Sequence, residues 1–231
     1  MKIMSFNTQS CTNYITQEID YEIMADAIKK CDADIVGLNE IHELSEMENY
    51  SFQTRKLSEK SGLPYYKFCH ACTLEEGTFG NGFISKIPIV SAEVIGVPDP
   101  DPKTGNQYYE TRALLKVKLE NGYTILVIHF GLNKDEQLNA VNTVVNNLEN
   151  EKCILMGDFN VEPDNEVLNP IREKMKDSSD LYTENLLSFP SDKPKKRIDY
   201  IFASKDVEFI SADIPPIVAA DHRPAVAEIR L

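Results

Sequence analysis

The chain has 231 residues, 42% hydrophobic and 26% charged, with a formal net charge of -13. These are the proportions of an ordinary globular protein, and the length permits one large sandwich-type domain, 1–231, without forcing two. An acidic body repels polyanions, so a long nucleic acid is not the default partner, although bound cations and a local basic rim reverse the field where they sit.

The first predicted strand, Lys2-Ile3-Met4-Ser5-Phe6, ends at Asn7. No apolar targeting segment precedes it, and no apolar run approaches the ~20 residues that span a bilayer, so the expected location is the cytoplasm. Ile23, Met24, Ala27 and Ile28 recur at helical spacing and predict a helix over 20–31. Asp34-Ile35-Val36-Gly37-Leu38 is a second strand, ending near Glu40, and a second helix is predicted near 51–61. Cys69-His70-Ala71-Cys72 has metal-like spacing but no second pair to complete a tetrahedral site, so it is read as packing in a strand. The five cysteines show no disulfide framework and point to a reducing compartment. His42 and His70 have no companions and are read as ordinary surface or core residues.

Between residues 80 and 130 strands dominate: Gly82–Ser85, Ile89–Val97, Tyr108–Leu119 and Tyr123–His129. Asn121-Gly122 is a strong hairpin signal between the last two. A third helix is predicted over 134–149, with Leu138, Val141, Val144, Val145 and Leu148 on its apolar face. Cys153-Ile154-Leu155-Met156-Gly157 then runs into Asp158-Phe159-Asn160. Two later runs carry polar groups at their beginnings: Arg197-Ile198-Asp199-Tyr200-Ile201-Phe202, and Asp221-His222-Arg223-Pro224 before Ala225–Ile229. The two long loops, 98–107 and 183–196, are where specificity is expected. Tyr108, Tyr109 and Phe189 are candidates to line a pocket. Strands of mixed order with helices outside predict a four-layer α/β sandwich, two packed mixed sheets flanked by helices.

If the later strands run opposite to the earlier ones, Asn7, Glu40, His129, Asp158, Asn160, Asp199, Asp221 and His222 meet on one edge. Each has a plain alternative: Asp and Asn favour strand-end turns, a Glu after a strand is usually solvated, and a lone His is often a satisfied core residue. Asp158 and Asn160, two apart, point the same way in an extended segment, with Phe159 turned into the core and Gly157 allowing close backbone approach. Asp199 lies in an apolar run and needs a partner, for which His222 is the natural choice. Arg112 suits bidentate phosphate contact or a structural ion pair. Lys193, Lys195, Lys196 and Arg197 form a local basic run, read as a solvated loop or as a contact to a phosphate backbone. Together these oxygen and imidazole groups suit a hard-cation phosphoester hydrolase using Mg²⁺ or Mn²⁺.

In this order and spacing the blocks resemble the endonuclease/exonuclease/phosphatase superfamily over nearly the whole chain. Ser5-Phe6-Asn7 resembles its first strand, Gly37-Leu38-Asn39-Glu40 its metal Glu segment, and Gly80-Asn81-Gly82-Phe83-Ile84-Ser85-Lys86-Ile87-Pro88-Ile89 its central hairpin. Ile128-His129-Phe130-Gly131-Leu132, Gly157-Asp158-Phe159-Asn160, Arg197-Ile198-Asp199-Tyr200-Ile201 and Asp221-His222-Arg223-Pro224 resemble the remaining blocks. Asn39 and Ala220 depart from the commoner Gln and Ser. The resemblance implies that Glu40 binds the cation with Asn7 and Asp221 nearby. Asp158 and Asn160 would orient water and phosphoryl group, and His222, held by Asp199, would stabilise charge or move a proton. His129 would act from the other side and Arg112 would contact phosphate. Asp158 and His222 both stand as candidate general base. The expected activity is hydrolysis of a small phosphodiester or phosphorylated metabolite by in-line water attack. The alternatives are a nuclease or DNA-repair phosphodiesterase and, in another class, a catalytically inactive binding module.

Overall fold

The computed structural model describes residues 1–75 and 77–231. Strands and helices are numbered in chain order. One six-stranded sheet contains β1 (Lys2–Asn7), β2 (Ile35–His42), β3 (Tyr65–Leu74), β4 (Gly77–Ser85), β11 (Phe209–Asp213) and β12 (Ala225–Ile229), in the order β11-β12-β1-β2-β4-β3. The other contains β5 (Ile89–Gly96), β6 (Ala113–Leu119), β7 (Thr124–His129), β8 (Cys153–Asp158), β9 (Met175–Asp177) and β10 (Asp199–Ser204), in the order β5-β6-β7-β8-β10-β9. Helices α1 (Tyr21–Cys31) and α2 (Gln53–Ser61) cover the first sheet, and α3 (Lys134–Asn147) and α4 (Asn169–Lys174) the second. This is the predicted four-layer sandwich.

The strand period of two explains the layering. Ile3, Ile35, Phe83, Val127, Met156 and Ile201 fill the space between the sheets. Their neighbours Met4, Val36 and Leu38 face α1 and α2, while Leu126, Ile128 and Leu155 face α3 and α4. Both faces of the central strands are therefore buried, and the sequence reads as continuous apolar runs rather than alternation. Gly37 is required here, because a Cβ would stand 2.5 Å from Met156 Sδ in the facing sheet.

Several expectations are corrected. Gly80–Ile89 is not a hairpin: β4 and β5 lie in different sheets, and residues 86–88 carry the chain across. The hairpin partner of β4 is β3, with Leu74 opposite Gly77. Cys69–Cys72 lies in β3 as expected, but the rest of the strand escaped the sequence reading, because it is an edge strand with much of its surface exposed, including Tyr65 and Tyr66. β6 begins at Ala113, not Tyr108, because side chains from the start of α3 hold residues 104–110: Glu110 N–H donates to Glu136, and Tyr109 Oη donates to Asp135 Oδ2 at 2.7 Å. Leu138, assigned to the apolar face of α3, is 46% exposed. Arg197 leaves the basic run. It is buried, lies 3.6 Å from Asp177 Oδ1 and packs over the Tyr200 ring, whereas Lys193, Lys195 and Lys196 are exposed. The Asn121-Gly122 hairpin forms as predicted, with Gly122 at φ 87°. Cys69 is buried in β3, and Cys11, Cys31, Cys69, Cys72 and Cys153 are all free thiols. Among the described residues, no helix is long and apolar enough to cross a membrane.

Candidate active site

Strand direction brings the polar groups together. β1 and β2 are parallel, so Asn7 and Glu40 emerge at the same end of the first sheet. β12 runs antiparallel to β1, which places Asp221 and His222, just before it, at that end too. In the second sheet His129 lies opposite Asp158 in parallel register, and Asp199, opening β10, lies opposite Asp158 in antiparallel register. Hydrogen bonds between the sheets close the group. Asn7 Nδ2 donates to Glu40 Oε1 at 2.9 Å and to Asp158 Oδ2 at 3.1 Å.

Two residues reach the edge through left-handed backbone. Glu40 has φ 58° within an irregularity of the β2–β4 ladder between Leu38 and Ile41. Asn160 has φ 51°, and its N–H donates to Asp158 Oδ1 at 2.9 Å. The Asp158–Asn160 segment is thus a tight Asx turn, not the extended segment expected, although Phe159 does point into the core, stacked on Phe130 at 4.4 Å. Each left-handed non-glycine residue costs on the order of 1–3 kcal/mol and persists where surrounding contacts over-determine it. Gly157, at φ 150°, permits the approach of β8 to β7, since a Cβ would sit 1.8 Å from Ile128 O.

Asn39, noted in the sequence only as a departure from Gln, ties the layers together. Its Nδ2 donates to Asn81 Oδ1 at 2.7 Å and to Ile128 O at 3.0 Å, and its Oδ1 accepts from Asp158 N–H at 2.9 Å. Asn81 Nδ2 continues to Ala113 O at 2.9 Å. These buried amides, invisible to a search for charged groups, fix the backbone that carries Asp158.

His129 has a polar neighbour at each ring nitrogen. Arg112 Nη1 stands 2.9 Å from Nδ1, and Asn160 Nδ2 stands 3.1 Å from Nε2 while also donating to Phe130 O at 3.0 Å. A guanidinium only donates, so Nδ1 is the acceptor and the ring proton sits on Nε2, 3.5 Å from Asp158 Oδ2; Asn160 Nδ2, which donates to Phe130 O, is then a neighbour of Nε2 and not a donor to it. Burial, then the charges of Arg112 and His222, hold His129 well below the usual imidazole range, so it is neutral. Glu110, missed in the sequence reading, sits 2.5 Å from Arg112 Nη1 and holds the guanidinium against the ring. Only its place two residues before Arg112 could have suggested it.

His222 has the opposite character. Its Nδ1 donates to Asp199 Oδ2 at 2.8 Å, and its Nε2 lies 3.6 Å from Asp158 Oδ2. Burial alone would lower its pKa, but the Asp199 and Asp158 carboxylates outweigh burial and raise it, so the ring is an imidazolium. Phe189 from the second long loop packs against it at 4.8 Å. Burial raises the Asp158 carboxyl, which gives it basicity that a solvated aspartate lacks.

The site contains more carboxylates than cations. Asp221 is pushed up to about 6 by burial, with the Glu40 charge adding to the shift, and its Oδ1 is buried without a hydrogen-bond partner. Two crowded carboxylates, one with an orphaned oxygen, fit a hard divalent cation. Asp158, Asp199 and His222 also approach one another closely enough to hold a metal. Asp199 Oδ1 is, like Asp221 Oδ1, buried without a partner, but the other contacts are used: Asp199 Oδ2 and His222 Nδ1 on each other, and Asp158 Oδ1 and Oδ2 on Asn160 and Asn7, and a charged imidazole ring offers a metal no lone pair. Glu40 and Asp221, with Asn7 bridging to Asp158, are the better donor set.

Comparison with known proteins agrees with this architecture. A sequence model described as the Endonuclease/Exonuclease/phosphatase family matches residues 4–222. A search of the curated proteins finds no match. The structure resembles an endonuclease/exonuclease/phosphatase from Beutenbergia cavernae, with TM-score 0.81 and 18% identity, over 100% of this chain and 71% of that one. It also resembles the mannosyl-6-phosphatase of Bacteroides thetaiotaomicron, with TM-score 0.74 and 19% identity over 100% of both chains. The human Nocturnin catalytic domain, solved with bound sulfate, matches with TM-score 0.70 and 18% identity, over 100% of this chain and 94% of that one.

Proposed function

This chain belongs to the Endonuclease/Exonuclease/phosphatase family, and from that premise we propose a divalent-metal-dependent phosphoesterase acting on a small phosphodiester or phosphorylated metabolite. The observation that carries the reading is the division of charge at the sheet edge. Glu40 and Asp221 are crowded and short of a cation, while Asp158 stands between the His222 imidazolium and neutral His129.

Glu40, Asp221 and Asn7 would hold Mg²⁺ or Mn²⁺, which when bound neutralises phosphoryl oxygens and stabilises the leaving oxygen. Asp158 is the general base, since His222 already carries its proton, and Asn7 and Asn160 fix the carboxylate's direction. His222 donates from Nε2 to a phosphoryl oxygen, with Asp199 holding Nδ1. His129 donates from Nε2 on the other side. Arg112 is committed to His129 and Glu110, so it positions the imidazole and adds positive field at the phosphoryl group. Glu110→Gln should loosen that guanidinium and lower kcat/KM by roughly tenfold, as expected for a weakened charge-assisted contact. Unchanged kcat/KM would remove Glu110 from the assembly.

The test of the function is a panel of aryl phosphates, aryl phosphodiesters, inositol phosphates, phospholipids and duplex DNA with Mg²⁺ or Mn²⁺. Hydrolysis of small esters with mild salt dependence is expected, because a net charge of -13 opposes long polyanions. Changing exposed Lys193, Lys195 and Lys196 together to Glu should leave small-ester hydrolysis intact, since such charges are screened over ~10 Å at 0.1 M salt. Efficient DNA cleavage at moderate salt, lost in that triple variant, would establish the nuclease reading instead.

A further inference from the structure

The Asp199–His222 pair spans the two sheets. Asp199 opens β10 in the second sheet, and His222 lies just ahead of β12 in the first. Ladder hydrogen bonds fix positions within a sheet, not between sheets, and residues 219–224 belong to no strand. The 2.8 Å contact between His222 Nδ1 and Asp199 Oδ2 therefore needs something besides the two strands to keep its ends aligned. Building on the phosphoesterase reading above, we propose that Ser188 is a positioning residue for the Asp199–His222 pair, in a clamp that Ser191 completes.

Ser188 touches the chain on either side of the pair. Its Oγ accepts from the N–H of Ile198, the residue before Asp199, at 3.2 Å. Its carbonyl oxygen accepts from the N–H of Arg223, the residue after His222, at 2.8 Å. One fully buried residue thus ties the start of β10 to the segment that carries His222. Ser191, also fully buried, takes further backbone groups of that segment. Its Oγ donates to Ala220 O at 2.6 Å, its N–H donates to Asp221 O at 2.7 Å, and its carbonyl oxygen accepts from Arg223 Nε at 2.6 Å. Between the two serines, the Phe189 ring lies against the imidazole at 4.8 Å.

The clamp is closed on itself. Ser188 N–H and Phe189 N–H both donate to Lys196 O, at 2.8 and 3.0 Å. Lys195 N–H and Lys196 N–H donate back to Phe189 O, at 2.7 and 2.9 Å. Beyond this closure Asp192, Lys193, Lys195 and Lys196 are exposed. The inner part of the loop, 188–191, therefore serves the alignment of the pair, while its tip faces solvent. Hydroxyls suit the task. A serine Oγ satisfies a buried N–H without carrying charge, so it fixes geometry without competing with Asp199 for the imidazolium.

The experiment pairs Ser188→Ala with Ser204→Ala. Ser204 Oγ also accepts from a buried N–H, that of Cys153 at 3.0 Å, but at the far end of β10, away from the site. Both changes leave a buried N–H without its acceptor, so both should lower Tm. With Mg²⁺ and p-nitrophenyl phosphate or bis-p-nitrophenyl phosphate, Ser188→Ala should lower kcat roughly tenfold and leave KM in place, the mark of a partly lost alignment. Ser204→Ala should leave both constants in place. Proton NMR of the metal-free protein reads the pair without turnover. The low-field resonance of the His222 Nδ1 proton, identified by its loss in His222→Gln, should shift or broaden in Ser188→Ala and persist in Ser204→Ala. A wild type without that resonance, an unchanged resonance or kcat in Ser188→Ala, or the same change in Ser204→Ala would overturn the proposal and reduce Ser188 to a loop-closing residue. If Ser188→Ala does not fold, Ser191→Ala, which removes the bond to Ala220 O, is judged by the same comparison. If the wild type hydrolyses no ester, the phosphoesterase reading fails and the resonance alone decides the clamp. A change confined to Ser188→Ala then supports it, and an unmoved resonance overturns it.

Discussion

Asp199→Asn should lower kcat by roughly 10²-fold or more while leaving Mg²⁺ affinity unchanged, the scale of a positioned acid–base group. Asp199 is almost completely buried, and its Oδ2 accepts from His222 Nδ1 at 2.8 Å. Its charge is the largest influence raising the His222 pKa against burial. An amide keeps the shape but removes that charge, and it can turn an N–H toward the ring and reverse the hydrogen bond. The imidazolium would then lose its proton at lower pH. Activity that needs the charged ring is present below the His222 pKa and lost above it, so the alkaline limb of the pH–rate profile should move toward acid. Calorimetry should show that Mg²⁺ binding survives, because Glu40 and Asp221 are untouched. Near-normal turnover with an unmoved profile would reduce Asp199 to a structural residue.

The second large effect concerns the cation. Mg²⁺ at about a hundred times its Kd should stabilise the wild type by roughly 2.7 kcal/mol. That corresponds to a rise in Tm of roughly 5–10 °C for a chain of this size. Glu40→Gln should abolish most of that rise. The metal-free variant should be at least as stable as the metal-free wild type, because the Glu40 charge that crowds half-buried Asp221 is gone and active-site groups are often held at a cost in stability. Thermal scans with and without Mg²⁺, together with titration calorimetry, check both statements. An undiminished Mg²⁺ shift in Glu40→Gln would remove it from the ligand set and return attention to Asp158, Asp199 and His222.

The strands that build the site were legible in the sequence because burial on both faces writes itself as apolar runs. Cys153–Met156 and Thr124–Ile128 could hardly be anything else, and the polar groups at their ends stood out against them. Their places at strand ends and beginnings put Asn7, Glu40, His129, Asp158, Asn160, Asp199, Asp221 and His222 on one edge only on the condition that the later strands run opposite to the earlier ones, which the antiparallel β12–β1 and β10–β8 pairings meet. Edge strands were read unevenly: β5, with its β-branched run, was read over Ile89–Val97 and only Cys69–Cys72 of β3 was read as strand, while the rest of β3 and β11 carry no continuous apolar run and were not. Nor was the passage of Gly80–Ile89 from one sheet to the other, because local sequence specifies a turn but not the sheet each flank joins.

Tertiary structure alone decided the protonation states. Nothing local distinguishes His129 from His222. One ring meets a guanidinium and stays neutral, the other meets carboxylates and stays charged, and those partners come from strands and loops distant in sequence. It also decided the part played by Asn39, whose three partners lie 42 to 119 residues away, and by Gln53, which from within a helix ties Ser10 to His42 of β2. Apolar periodicity is a property of neighbours in the chain and can be read from it, whereas the field at an ionisable group is a property of neighbours in space.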